Sequence, residues 1–373
     1  MGLIITPQAD IDAYFASEDT VNQSSLKNLE GGLGGLMASI AKKKNDKIEG
    51  KPTPEYFLVG SAVDCILTGE IGEFEKQYYV STLEKKPSDA EVLIVNQVFD
   101  ELVREEVEID LPLTGYLEML AIAITDQQWY KGNPGEKRTQ GLLDRCAPYF
   151  EDMKESLGMK ILTSEQYNNI NNIVNSLKFN PKTRKYFDRE LQESQKHIDF
   201  YYQLPIYFTY MGEECKALMD LVVVHKNPEG KIIKIEPIDL KTMSGNTLGF
   251  VNQIRLRRYD IQAAWYTMAL AFHFDFPLGE IDAFKFVVES STGVGTPLVF
   301  EISSATLKHG QFGAPEGYFV SDDGQRDLYY PERKGYTQLM SEFIHYQNTG
   351  FREDIIFEKY PDIVSVDWTK GII

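Results

Sequence analysis

Two apolar, β-branched runs joined by a turn constrain this chain more than any other feature. Ala217–Val224 is the first, interrupted by a single carboxylate, Asp220. Asn227-Pro228-Glu229-Gly230 follows, and these residue types favour chain reversal. Ile232–Leu240 is the second run, so the pair predicts an antiparallel hairpin inside a sheet. The second run ends in Pro237-Ile238-Asp239-Leu240-Lys241-Thr242. Strand side chains alternate, which puts Asp239 and Lys241 on one face and Ile238 and Leu240 on the other.

The length of the turn sets the register. A two-residue Glu229-Gly230 loop pairs residues whose numbers total 459, so Asp220 faces Asp239, with Cβ atoms about 4.5–5.5 Å apart. A three-residue loop shifts the pairing by one and separates the two acids, unless a bulge restores it. Carboxylates so close repel, and one of them stays protonated unless a cation intervenes. Hard oxygen ligands of this kind suit Mg2+ or Mn2+. Lys241, beside such a cation, is placed to orient or help deprotonate a water and to stabilise charge on a phosphate. Asp-x-Lys alone is common and means little. A carboxylate within Leu218-Met219-Asp220-Leu221-Val222 means more, because an ionised group seldom sits unpaired in such a run. On the next helix Tyr259, Gln262 and Tyr266 share a face, as they also do on any amphipathic helix.

The remaining sequence supplies the surroundings. A chain of 373 residues, 43% apolar, buries a large core in two or three domains or in one elaborated one. Residues 1–75 read as mostly helical, with an N-cap at Ser24 or Ser25, a break at Gly31–Gly35 and a helix over Tyr56–Leu67. Residues 76–197 are polar and helix-rich, with a loop at Lys131–Arg138. There Thr163-Ser164-Glu165-Gln166 caps a helix bearing Ile170, Ile173, Val174 and Leu177. The expected organisation is a helical part over 1–197, a strand-rich core over 198–303, and a tail over 304–373 with a helix near Tyr336–Tyr346, all integrated in one domain.

Composition excludes some functions. No run of 18 apolar residues and no signal-like start occur, which predicts a cytoplasmic protein that does not enter membranes. Cys65, Cys146 and Cys215 form no Cys-x-x-Cys pair and read as reduced thiols. The five histidines show no ligand spacing. No phosphate-binding Gly-x-x-x-x-Gly-Lys loop exists, so ATP-driven unwinding is not encoded. A net charge of −18 does not suit a protein that coats DNA. Either the partner is not nucleic acid, or DNA meets a local basic lining. The candidates are Lys178–Arg189, with Lys182, Arg184 and Lys185, and the cluster Arg255, Arg257 and Arg258.

As an ordered set these residues resemble the PD-(D/E)XK nuclease superfamily. Asp220 in a strand, Ile238-Asp239-Leu240-Lys241-Thr242, and Gln262-Ala-Ala-Trp-Tyr266 are similar to the core of RecB-type nucleases, lambda exonuclease and the exonuclease VIII catalytic domain of phage and prophage recombination enzymes. Ser24-Ser25-Leu26-Lys27, Cys215–Asp220 and Lys334-Gly335-Tyr336 extend the likeness, which is tight over about residues 215–266. The resemblance implies an α/β fold, a central mixed sheet flanked by helices with a helical N-terminal half. It implies a Mg2+- or Mn2+-dependent exonuclease in a bacterial cell, digesting double-stranded DNA ends beside a single-strand annealing protein. It also implies a homo-oligomeric ring whose channel alone need be basic. Asp220, Asp239 and the Leu240 carbonyl would ligate metal, Lys241 would be the catalytic lysine, and Gln262 and Tyr266 would support the site. Where the family places a helical Gly-x-x-x-His, this chain has Gly60-Ser61-Ala62-Val63-Asp64, so Asp64 would stand in for the histidine. A non-catalytic DNA-end or protein-binding module, or an endonuclease of restriction or junction-resolving type, are the alternatives.

Overall fold

The hairpin forms the centre of a six-stranded mixed sheet. Its strands are β1 (Leu3–Ile5), β2 (Ile198–Tyr210), β3 (Glu213–Lys226), β4 (Ile232–Met243), β5 (Lys285–Ser290) and β6 (Leu298–Glu301), adjacent in that order. β1 runs parallel to β2 and β4 parallel to β5, while the other neighbours are antiparallel. The computed structural model describes every residue except 1, 18–19, 49–53, 130–135, 294, 321–326, 331, 350–365, 368–370 and 373.

Some helices pack on the two faces of the sheet and others away from it. They include α1 (Gln8–Ala16), α2 (Gln23–Asn28), α3 (Glu55–Thr68), α4 (Asp89–Arg104), α5 (Leu117–Asp126), α6 (Glu136–Ser156), α7 (Ser164–Phe179), α8 (Phe250–Leu256), α9 (Tyr259–Phe274), α10 (Ser304–Phe312) and α11 (Tyr336–Asn348). One face carries α9, α2 and α11 through Trp265, Ile261, Leu26 and Leu339. The other carries α3 and α7 through Leu58, Val63, Ile170 and Leu177. Buried on both sides, β5 is apolar at Phe286, Val287 and Val288 in succession. A third cluster joins α4, α5 and α6 away from the sheet. This is the α/β architecture expected, with a mainly helical N-terminal half. No helix among the described residues is long and apolar enough to cross a membrane.

The hairpin register is the one counted from sequence, reached by another route. The loop spans Asn227–Lys231, where Gly230 N–H donates to the Asn227 carbonyl and Asn227 N–H to the Lys231 carbonyl, both at 2.9 Å. Lys226 therefore pairs with Ile232, one step out of register, and a bulge at the exposed Ile233 corrects it. From His225–Lys234 to Leu221–Ile238 the pairs are those expected. The ladder of β3 on β4 stops there, one step short of Asp220 and Asp239. At the same level side-chain alternation slips. Tyr202 and Leu221 face the α3 side, but Leu204 and Met219 face the α9 side, and Gln203 between them has φ of +49°.

Local signals came through unevenly. Thr163 and Gln166 form the expected reciprocal cap, at 3.2 and 3.0 Å. The cap near Ser24 is instead Asn22, whose Oδ1 accepts from the backbone of Ser24 and Ser25. The glycine-rich stretch does not break the chain, because a helix runs over Gly32–Ile48 and only the turn Leu29–Gly31 interrupts. Buried Leu29, Leu33 and Leu36 supply enough packing to override the low helix propensity of glycine. Residues 131–135 of the expected loop lie outside the described residues, and α6 already begins at Glu136.

Candidate active site

The end of the β3–β4 ladder is where the acidic residues gather. Asp239 and Lys241 lie beside Phe286 and Val288 of β5, on the face covered by α9. With no ladder partner beyond Leu221–Ile238, the Leu240 N–H donates instead to Asp220 Oδ2, at 2.8 Å. One acid thus fills the gap left by the parting strands. Leu240 enters through its backbone, while its side chain packs in the opposite core.

Asp239 is 2% exposed and gripped at both oxygens. Gln262 Nε2 of α9 donates to Oδ1 at 2.6 Å, and the Lys241 ammonium pairs with Oδ2. That ammonium also stands 5.4 Å from the Tyr259 ring centroid and 5.8 Å from that of Phe286, within cation–π range. Asp64 comes from α3, the layer on the other side of the sheet. It reaches the same place because α3 passes close to the end of β4, where a Cβ on Gly60 would lie 3.3 Å from Thr242 Oγ1.

Electrostatics tie these groups together. Burial and then the charges of Asp239 and Asp64 push Asp220 well above the usual carboxylate range. Burial raises Asp239 too, against the attraction of Lys241. Asp64 is pushed up to about 7 by burial, opposed by Lys241 and reinforced by Asp239. Burial alone would lower Lys241, but Asp239 and Asp220 outweigh it and hold the ammonium above its ordinary value. The neighbouring acids thus favour the ammonium form of Lys241. Tyr266, buried beneath the site, is raised by burial, by Tyr14 of α1 and by Asp239, so it remains a neutral phenol.

The acids are of the donor type that a hard divalent cation takes. Asp64 Oδ1 is buried without a hydrogen-bond partner among the described residues, and a lone carboxylate oxygen in such a place calls for a positive partner. No group of three or more His, Cys, Asp or Glu side chains among the described residues is positioned to hold a metal ion. Lys241 supplies the countercharge to all three acids.

The basic cluster divides. Arg258 is 4% exposed, and its guanidinium binds Glu30, Asp260 and the Lys334 carbonyl, so it clamps α9 to its neighbours and does not line a DNA path. Arg257 is exposed, its Nε donating to Gln253 at 2.9 Å, and Arg255 is half-buried on α8. In the other stretch Arg189 donates to the carbonyls of Leu67 and Gly69 at the end of α3, and Arg184 pairs with Asp188 at 2.7 Å. Sequence reading passed over Tyr14 and Phe286. Both meet the site only through tertiary packing and carry no local signal.

No protein-family profile matches the chain, and no curated protein matches it. Among solved structures, the crystal structure of a "Putative exonuclease" from Eubacterium rectale aligns with 82% of this chain and 81% of its own, at 14% identity and a TM-score of 0.39. Likeness at that level carries no functional inference of its own.

Proposed function

We propose that this chain is a metal-dependent nuclease that hydrolyses phosphodiester bonds of double-stranded DNA from its ends. The observation that carries this reading is the cluster at the end of the β3–β4 ladder, where Asp239 pairs with Lys241, Asp220 accepts from the Leu240 N–H at 2.8 Å, and Asp64, its Oδ1 without a hydrogen-bond partner among the described residues, lies within their field. Structure alone needs no such arrangement, since apolar residues of similar size pack a core at lower cost.

Asp220, Asp239, the Leu240 carbonyl and Asp64 would hold Mg2+ or Mn2+. The bound ion would neutralise the carboxylates and polarise the scissile phosphate. Gln262 and Lys241 fix the orientation of Asp239, one at each oxygen. Lys241 stabilises negative charge developing on the phosphate and orients the attacking water by donating to it. Tyr266 and Gln262 close the site beneath the substrate and limit access of bulk water. Processing of DNA ends for recombination beside an annealing protein, in a ring of identical chains, is the finer part of this proposal.

Digestion of linear and covalently closed circular duplex with Mg2+, by wild type and Lys241→Ala, tests it. Linear DNA is consumed and circles survive, while Lys241→Ala loses about 10²–10³-fold in kcat without loss of fold. Cutting of circles makes the enzyme an endonuclease. Binding without any cutting makes it a DNA-end binding module. Wild-type rates in Lys241→Ala remove the site assignment.

A further inference from the structure

The side chains that surround the acids come from the sheet, α3 and α9, but one further cation arrives from the short helix α2. Lys27 is half-buried, and its Nζ donates to the Arg257 carbonyl at 3.3 Å. The ammonium lies 5.5 Å from the centroid of the Tyr259 ring, the same ring that Lys241 approaches at 5.4 Å. One aromatic ring therefore carries both ammonium groups. Burial and then repulsion from Lys241 lower Lys27 to about 8, against the attraction of Asp239 and Asp260.

Among the described residues no carboxylate lies within ion-pair distance of Lys27, whereas Lys241 is paired with Asp239. An ammonium whose partners among the described residues are a carbonyl and an aromatic face has no anion beside it to balance its charge. Nor is the placement loose. α2 is capped by Asn22, anchored by the fully buried Leu26, and flanked by Glu30, which Arg258 binds. The segment that presents Lys27 is thereby fastened to the start of α9.

We propose that Lys27 is a second phosphate-binding residue of this site, receiving a phosphate of the DNA strand that enters it. This rests on the nuclease reading for the identity of the ligand, a phosphodiester oxyanion. Lys27 and Lys241 then divide the work. The first binds the strand whether or not chemistry follows, and the second, paired with Asp239, acts at the bond that breaks. The loss of Lys27 falls on KM and on binding, and the loss of Lys241 on kcat.

The test uses the full chain as wild type, Lys27→Gln and Lys27→Arg, with thermal melts to verify folding. Binding to a short labelled duplex is followed by anisotropy over a salt series without divalent cation, so cleavage is not the readout. Lys27→Gln flattens the slope of log affinity against log salt by about 0.9, as expected when one phosphate is no longer neutralised, and Lys27→Arg restores it. An unchanged slope in a folded Lys27→Gln protein overturns the assignment, even where wild type cuts DNA normally. A flattened slope in a protein that never cuts DNA upholds Lys27 and removes the proposed activity. Absence of duplex binding by wild type overturns both.

Discussion

Asp64 shows how one residue can couple stability to the state of a whole cluster. Its carboxyl lies near 3.8 in the free chain and near 7 in the fold. Between those values the folded protein keeps a proton that the unfolded chain has released. Stability is therefore lost as pH rises through the window, and Asp220 and Asp239 push in the same direction. Thermal melts of metal-free protein are expected to drop as pH climbs from about 4 to 7, with a shallower drop in Asp64→Asn. On the proposed metal site, Mg2+ should reverse the loss at the upper end by binding the ionised acids of the native state. Parallel melting curves for the two proteins would detach Asp64 from the cluster. In cleavage assays Asp64→Asn should need more Mg2+ for half-maximal rate, and Asp64→His should shift preference towards Mn2+.

At the scale of elements, the position of α9 decides whether Gln262 meets Asp239. Two contacts hold its first turn. Arg258 binds Glu30 and Asp260, and Gly310 of α10 lies so close that a Cβ there would stand 2.1 Å from the Asp260 carbonyl. Arg258→Met leaves two acids without their cation and should cost about 3 kcal/mol in denaturant unfolding. Gly310→Ala must push the helices apart and should cost about 1–3 kcal/mol. Wild-type stability in both would show that the first turn of α9 is held elsewhere. These contacts also mark the limit of sequence reading. The hairpin, its register and the Thr163 cap were legible because alternation, turn chemistry and capping act over a few residues. Arg258 was not, since Glu30 and Lys334, its fixing partners, lie far away in the chain. Asp64 was placed beside Asp239 only by resemblance, because nothing local links a helix residue to a strand 175 positions later.

For the whole molecule the net charge of −18 is the constraint on any DNA partner. Part of its positive charge is committed inside the fold. Lys216 is buried, donating to the Tyr14 and Ser17 carbonyls, and Arg258 and Arg189 are likewise engaged. On the proposed function, DNA would therefore meet the few cations near the site against a repelling body. Binding is expected to weaken steeply with pH above neutrality, as more of the acid cluster ionises, and to recover with Mg2+. Neutralising Arg255 and Arg257 should flatten the salt dependence by about one unit for each phosphate they neutralise in the wild type, and an unchanged slope places the track elsewhere. The proposed ring is checked by light scattering, where a monomer mass at working concentration rules it out.

The bulge at Ile233 gives the hairpin something like a reading frame. The strand after its loop holds one residue more than its partner, and the bulge takes up that residue before the message reaches Asp239. Removing Ile233 is then a silent deletion, since the strand simply straightens and every later pair stays in phase. Removing Pro237, four positions on, has no such suppressor. It turns Asp239 and Lys241 into the opposite layer and Ile238 and Leu240 towards α9, so the same one-residue loss that is harmless at one point erases the site at the other.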